Sequence, residues 1–410
     1  MGDVSISEIA KITSGKRPQK VEKFETTELR VPVIGGGGPS GFTDEPLYTG
    51  RILITGRVGT LGKLFAPDGP CWPSDNALVL WPKDDQTDFA FLRYALQQKI
   101  TDAIGMNRGA ANPLITQKDL GTLKVNHPSL SDQRSIASVL GAIDDKIELN
   151  RYMNKTLEAL ARALFKDWFV DFGPTRAKIG GREPYLDPDL WALFPDHLNE
   201  ETSLPKGWEV STIGDEVRVV GGSTPSTKES DFWDGPFNWA TPKDLSTLTS
   251  PVLLETSRTI TMAGLEKISS GLLPVGTVLL SSRAPIGYLA IADIPVAINQ
   301  GFIAMVCEGR ISNVFAWLWT IGNMEAILAK ANGSTFQEIS KGNFRPLPLV
   351  LPSDTIRAAF DAFVLPIYRR IEKNEKESRS LSQTRDLLLP KLMSGEIRLR
   401  DAEQIAEEAL

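Results

Sequence analysis

Apolar positions follow two alternating regimes along the chain. In the first, short aliphatic runs are bounded by Gly and Pro. Arg51-Ile-Leu-Ile-Thr-Gly-Arg57-Val-Gly-Thr-Leu-Gly62 and Thr277-Val-Leu-Leu-Ser-Ser-Arg283-Ala-Pro-Ile-Gly287 each predict a short buried strand, an arginine and a Gly-ended turn. One amphipathic helix is expected beside each run, at 88–104 and 312–331. In the second regime the spacing changes to heptads. Ile136, Ile143, Asn150, Leu157 and Leu164 recur at sevens, with Leu140, Ile147, Asn154 and Ala161 between them. Phe360, Ile367, Asn374, Leu381 and Leu388 do the same, with Val364 and Ile371 between them. Such an a/d stripe over about four heptads predicts a long helix with a narrow apolar seam.

The two regimes repeat in register. Gly109 and Ile115-Thr116 match Gly333 and Ile339-Ser340, and Leu120, Leu123, Val125 and Pro128 match Phe344, Leu347, Leu349 and Pro352, all 224 residues apart. Because 224 is a multiple of seven, Ile143 corresponds to Ile367, Ile147 to Ile371 and Asn150 to Asn374. One heptad helix packs as readily on its own domain as on a partner. Two, each following a copy of the same globular unit, are expected to pack on each other, with the paired asparagines setting register.

The predicted fold is mixed α/β: two pseudo-symmetric globular domains joined by two long antiparallel helices that form a coiled-coil spacer. Residues 1–130 form the first domain. Residues 131–173 form the first helix, opened by the acid-rich Ser131-Asp-Gln-Arg134 and stopped at Gly173-Pro174. Residues 174–205, dense in Pro and Gly, read as a linker; 206–352 form the second domain and 353–400 the second helix region. The spacer core is expected at Ile143, Ile147, Asn150, Leu157, Ile367, Ile371, Asn374 and Leu381, and Arg369, Arg370, Lys373 and Lys376 are expected on a solvated face.

Composition narrows the function. With 410 residues and 41% hydrophobic content, the chain is long enough for two or three folded domains. No apolar run reaches the ~18 residues needed to span a bilayer, and the opening residues show no basic segment followed by an apolar core, so secretion is not expected. The two cysteines, Cys71 and Cys307, fit no metal or redox spacing. A reduced, cytoplasmic protein is expected. The net charge of −6 disfavours a simple nucleic-acid glove, although local clustering of Lys and Arg matters more than the total.

Catalytic patterns are missing. His127 and His197 support no nucleophile–base pair. Gly35-Gly-Gly-Gly38 lacks the following Lys and Ser/Thr of a phosphate loop, and Gly59-Thr-Leu-Gly62-Lys63-Leu64 is too short for one. Asn112-Pro113-Leu114 resembles the amino-methyltransferase Asn-Pro-Pro-aromatic motif but lacks its second Pro and its aromatic, and no SAM-binding motif accompanies it. The chain reads as a binder.

One family carries these features in this order. Leu204-Pro-Lys-Gly-Trp-Glu209, Asn238-Trp-Ala-Thr-Pro-Lys-Asp-Leu245, Gly276 through Arg283 to Gly287, and Gly333-Ser-Thr-Phe-Gln-Glu-Ile339 lie in the second repeat. Ser131-Asp-Gln-Arg134, Phe165-Lys-Asp-Trp-Phe-Val-Asp-Phe172 and Leu387-Leu-Leu-Pro-Lys-Leu-Met-Ser-Gly-Glu-Ile397 belong to the helices. Together they resemble the specificity subunits of type I restriction-modification systems over nearly the whole chain. Repeat one departs at Val33-Ile-Gly-Gly-Gly-Gly38, which replaces the Trp-Ala-Thr-Pro-Lys-Asp stretch.

The resemblance implies a non-catalytic subunit that reads a bipartite duplex-DNA target, one half per target-recognition domain. It implies two modification (methyltransferase) subunits docked on the helices, carrying SAM and methylating adenine. Restriction (motor-nuclease) subunits, using ATP and Mg, would cut unmodified DNA; no cofactor is expected in this chain, and no membrane. A helix of about 36 residues would be ~54 Å long, against ~34 Å for one turn of duplex.

Base or phosphate contacts are expected on loops between rigid elements. Arg57 and Arg283 are candidates at matched positions, either forking onto guanine or bonding turn carbonyls structurally. Lys63, Asn107, Arg108, Asn332, Ser334, Thr335 and Gln337 are candidates beside the paired turns, with polar loop filler as the alternative. Lys243 and Tyr288 are weaker ones. Trp168, Phe169 and Phe172 either anchor the modification subunit or close the core against the linker. The rival readings are a protein-binding adaptor, which the acidic charge favours, and an independent methyltransferase or nuclease.

Overall fold

A computed structural model describes residues 3–105, 114–333 and 337–410. The chain divides into two compact units: Met1–Ile147 together with Arg379–Leu410, and Glu148–Ser378.

In the first unit, strands Ala10–Ser14, Ala77–Pro82, Leu53–Gly56 and Leu64–Phe65 form an antiparallel sheet in that spatial order. A smaller sheet orders Gly38–Thr43, Val31–Gly35 and Trp72–Pro73, the last pair parallel. Strand Asp3–Ser5 pairs with Lys124–Asn126, just ahead of the first long helix.

The second unit repeats this plan. Arg218–Val220, Phe302–Val306, Val278–Ser282 and Ile286–Ala292 stand in the same order, with Val252–Leu253 added at the edge. Its smaller sheet orders Arg258–Ile260, Trp233–Ala240 and Val296–Ile298, again with one parallel pair. Glu209–Thr212 pairs with Pro348–Leu351 ahead of the second long helix.

The apolar runs are continuous because the central strands are covered on both faces. Side chains alternate across a strand, so Val278 and Leu280 enter one hydrophobic cluster while Leu279 enters another. Helix Phe89–Gly105 supplies Phe91, Leu92, Ala95 and Leu96 to the first unit's core. In the second unit the expected single helix is broken at Asn323 into Asn313–Gly322 and Met324–Ala329.

The long helices are Leu130–Phe169 (40 residues) and Asp354–Ser394 (41 residues). Each contributes to both units. In the first, Ile143 and Ile147 join Leu381 and Leu388 in one core, and Arg385 reaches Asp144 at 2.8 Å. In the second, Asn150 meets Ser378 (3.3 Å), Asn154 meets Asn374 (2.9 Å) and the Phe165 ring meets Phe360 (6.0 Å). One set of numbers falls as the other rises, so the helices run antiparallel there.

The asparagines pair differently from the expected one-to-one match. Asn374 Nδ2 donates to Asn154 Oδ1, while Asn150 Nδ2 donates to Glu377 Oε2 at 2.7 Å and, more weakly, to the Asn374 carbonyl at 3.4 Å. Antiparallel packing brings residues with a constant index sum together, and repeat-equivalent residues do not share one. Asn150, Ile371, Asn374 and Leu381 are buried; Leu157 and Ile367 are half-buried at the seam's margin. Lys376, expected to be merely solvated, bonds Asp293 at 2.7 Å and Glu372 at 2.5 Å.

The segment read as a linker holds two short helices, Gly173–Ile179 and Pro188–Leu193. Ala177, Leu190 and Phe194 are buried. Pro174 and Pro188 stand in the first helical turn, where a missing N–H costs nothing; prolines that look like breakers are starters here. Among the described residues, no helix is long and apolar enough to cross a membrane.

Candidate nucleic-acid interface

In the second unit, one end of the large sheet collects the polar loops. Strand Val278–Ser282 ends with Ser282 N–H donating to Gly301 O (2.8 Å) and Ser282 O accepting from Ile339 N–H (3.0 Å). Arg283 follows, bridging in the backbone to Glu338 and ion-paired with it at 3.8 Å. Both side chains are substantially exposed, so the pair is weak and the guanidinium remains available. Asn332 and Glu338 exchange two backbone bonds of 2.9 Å, which pins the base of the loop carrying the exposed side chains of Asn332 and Gln337.

Neighbouring loops close on the same strand ends. Gly222 lies so near Ile298 that a Cβ would sit 1.8 Å from its carbonyl oxygen, so only glycine lets this loop in. Ser223 N–H then bonds Ile298 O at 3.1 Å, and Thr224 Oγ1 donates to Gln300 at 2.5 Å. Pro242 packs beside Gly301, and exposed Lys243 follows it. The turn of helix Pro242–Ser246 is set by Asp244, which accepts from Thr241 N–H (2.7 Å) and Ser257 N–H (2.8 Å). Burial pushes the Asp244 carboxyl up, and the bonds from Ser257 and Thr241 outweigh it, leaving the pKa below the ordinary value.

Tyr288 starts from the neighbouring strand beside this end. Its N–H bonds Ser281 Oγ (2.8 Å), and the residue lines a cleft of about 380 Å³ with Glu158, Arg162, Ser250, Trp317 and Met324. Burial raises the Glu158 pKa there, Arg162 opposes the rise and Glu375 adds to it.

The first unit builds the same strand end with different side chains. Arg57 N–H donates to Asn76 O and Arg57 O accepts from Ile115 N–H, both at 2.9 Å. These are the bonds that Ser282, not Arg283, makes in the second unit, since Ile115 and Ile339 are repeat equivalents. Val58 bridges to Leu114 as Arg283 bridges to Glu338. The two arginines are therefore not at matched positions. They differ by one residue along a strand end.

The glycine run also finds its reason. A Cβ on Gly36 would lie 2.7 Å from Gly56 Cα and 2.9 Å from Thr60 O, so the small sheet and the Arg57 turn touch backbone to backbone. Lys63 is exposed immediately before Leu64–Phe65. Asn107, Arg108, Ser334 and Thr335 lie outside the described residues.

Several exposed residues at these ends escaped the sequence reading. Lys16 and Arg17 extend from strand Ala10–Ser14, where Trp72 Nε1 bonds Lys16 O at 2.7 Å and Gln117 bonds Ser14 at 3.0 Å. In the second unit, exposed Lys341, whose side chain lies against Gly221, and exposed Gln300 stand at the corresponding strand ends. A basic run after a strand (Lys16-Arg17) and a Gly-Gly pair before Ser-Thr-Pro were the available signals.

The proposed aromatic anchors prove to be core. Trp168 is 1% and Phe169 5% exposed, and only Phe172 is half-buried. Trp168 packs edge-on to Phe194 (5.0 Å), Phe169 to Phe360 (4.7 Å) and Phe172 to Trp208 (5.6 Å). Phe194 covers Trp168, and Trp208, Phe315 and Phe360 surround Phe169, which leaves these two rings no surface for a partner.

Similarity to known proteins follows this duplicated layout. A family model described as the type I restriction modification DNA specificity domain matches residues 1–159 and 205–377. The Type I restriction enzyme HindI specificity subunit of Haemophilus influenzae is 27% identical over 338 residues, covering 72% of this chain and 73% of that one. The Type I restriction enzyme MjaIX specificity subunit of Methanocaldococcus jannaschii is 25% identical over 362 residues, covering 86% and 78%. The crystal structure of a type I restriction-modification S subunit from M. genitalium covers 96% of each chain at 17% identity with a TM-score of 0.55, a likeness of fold. With both copies of the repeat matched by one family model, the chain belongs to the type I restriction-modification specificity-subunit family.

Proposed function

We propose that this chain reads a split duplex-DNA sequence, one half through each unit, and directs adenine methylation or restriction by partner subunits without catalysing either. The observation that carries the reading is the duplicated strand end: each unit offers exposed Lys, Arg, Asn or Gln side chains on loops tied to the same bonds, at Arg57 and Ser282. Rigid strands under polar loops suit base and phosphate contact. Membership in the specificity family supports the assignment of the chemistry to others. In this proposal two modification subunits hold SAM, restriction subunits use ATP and Mg, this chain binds no cofactor, and the complex works in the cytoplasm.

The test is genome-wide adenine methylation in cells expressing this chain with its neighbouring modification subunit, against cells lacking the chain. A split motif that disappears with the chain is the expected result. A fully active modification subunit with no chain-dependent motif would overturn the proposal. The net charge of −6 favours a second reading, a protein-binding adaptor. Duplex affinity that falls steeply with salt, the mark of counterion release, argues against it.

A further inference from the structure

The second unit contains an exposed arginine oriented by aromatic rings instead of by acids. Arg258 opens strand Arg258–Ile260 and lies opposite Trp239 in the small sheet. Its guanidinium carbon stands 3.4 Å from the Trp233 ring centroid and 5.7 Å from that of Trp239. The two indoles meet edge to face at 5.0 Å. Each ring is fixed by its own N–H: Trp233 Nε1 donates to Ser226 O (3.0 Å) and Trp239 Nε1 to Ser223 O (3.3 Å). Both tryptophans are buried while Arg258 is exposed. Among the described residues, no hydrogen bond from the guanidinium to an acceptor is seen.

A Trp face can be covered by any apolar side chain. Arginine does more, because stacking fixes its plane while five N–H donors stay at the solvent edge. The loop that clamps the indoles also leads to the strand ends described above, since Thr224 bonds Gln300 and its neighbour Gly301 bonds Ser282. Arg258 is thus tied, through Ser223–Ser226, to the loops bearing Arg283. In the first unit Val33-Ile-Gly-Gly stands where the second has this tryptophan stretch, so the sequence there carries no matching pair of indoles.

We infer that Arg258 is a DNA-contacting residue of the second unit, presenting a pre-oriented fork to a guanine edge or a backbone phosphate. This rests on the DNA-reading function proposed above. The experiment uses the full chain assembled with its modification subunit, and duplexes carrying the motif methylated by the wild-type complex. Binding is measured against salt for wild type, Arg258→Met and Arg258→Lys.

Met keeps Trp233 covered, so the melting temperature is expected to hold while affinity falls at least about tenfold. Lys, a point charge without the planar fork, recovers only part of the loss. A loss confined to one base pair identifies a guanine contact. A uniform loss with a salt slope lower by about one identifies a phosphate contact. Arg258→Met equal to wild type in affinity, salt slope and methylated motif overturns the inference. A wild-type complex that binds no duplex overturns the underlying function instead, and the inference with it.

Discussion

Gln133 and Arg357, 224 residues apart in the repeat, make the same bond with different chemistry. Gln133 Nε2 donates to the Pro128 carbonyl at 2.9 Å, and Arg357 Nη1 donates to the Pro352 carbonyl at 2.6 Å. Each side chain ties the start of a long helix to the strand-ending proline five residues earlier. Both are buried, so the bond is shielded from water.

Gln133 also accepts from Asp88 N–H (2.8 Å) and donates to Gln86 O (3.0 Å). Gln133→Ala leaves the buried Pro128 carbonyl unpaired and opens the half-buried Asp88 and the exposed Gln86 to water, at a cost of about 1–3 kcal/mol. Denaturant unfolding of the full chain should report that loss; a change under ~0.5 kcal/mol would mean that water replaces the amide.

Asn374→Ala removes the donor to Asn154 and is expected to destabilise by about 1–2 kcal/mol. Replacing Asn154 and Asn374 together by Leu should raise the melting temperature, because a desolvated polar pair is exchanged for apolar packing. A lower melting temperature for the double variant would show that the amides contribute net stability.

Arg57 and Arg283 belong to different units, which separates their effects. Arg283→Ala should lower affinity about tenfold and relax the methylated motif at one position of the second unit's half-site. Arg57→Ala should act on the other half-site. Motif sequencing of each variant decides the matter, and identical uniform losses would reduce both arginines to phosphate or structural contacts.

Trp168→Ala is predicted to cost about 3–5 kcal/mol, the usual penalty for emptying a buried aromatic site. Phe172→Ala, at a half-buried position, should cost less. Thermal unfolding of the chain without partners gives the answer; an unchanged melting temperature for Trp168→Ala would restore the interface reading.

Glu216 supplies a pH signature. Burial raises its pKa, but bonds from Arg310 and Ser211 outweigh this and hold it below the ordinary 4.5. A depressed folded-state value means that the carboxylate stabilises fully above about pH 4.5 and loses that contribution as pH falls through the folded value. Glu216→Gln should therefore destabilise at neutral pH, with the gap from wild type closing in acid. A gap independent of pH from 7 to 3 would assign the effect to packing.

Much of the architecture was legible from residue order. Heptads at Ile143 and Ile367 announced the long helices, the 224-residue offset announced the duplication, and aliphatic runs such as Ile52–Thr55 announced short buried strands. These are local or periodic signals, and side-chain period translates directly into which face is apolar. The family resemblance was likewise carried by residues in order.

Tertiary structure decided the rest, because it depended on pairings between distant segments. Whether Arg57 matches Ser282 or Arg283 is set by bonds to Asn76 and Ile115, and to Gly301 and Ile339. Trp168 and Phe169 became core because Phe194 and Trp208 fold back over them. Arg258 gained its orientation from Trp233, which a tertiary strand pairing places beneath it. The sequence by itself determined the elements, their repetition and their apolar faces; only cross-strand hydrogen bonding and packing decided where each polar side chain points, since a shift of one residue reverses its direction at no cost in local pattern.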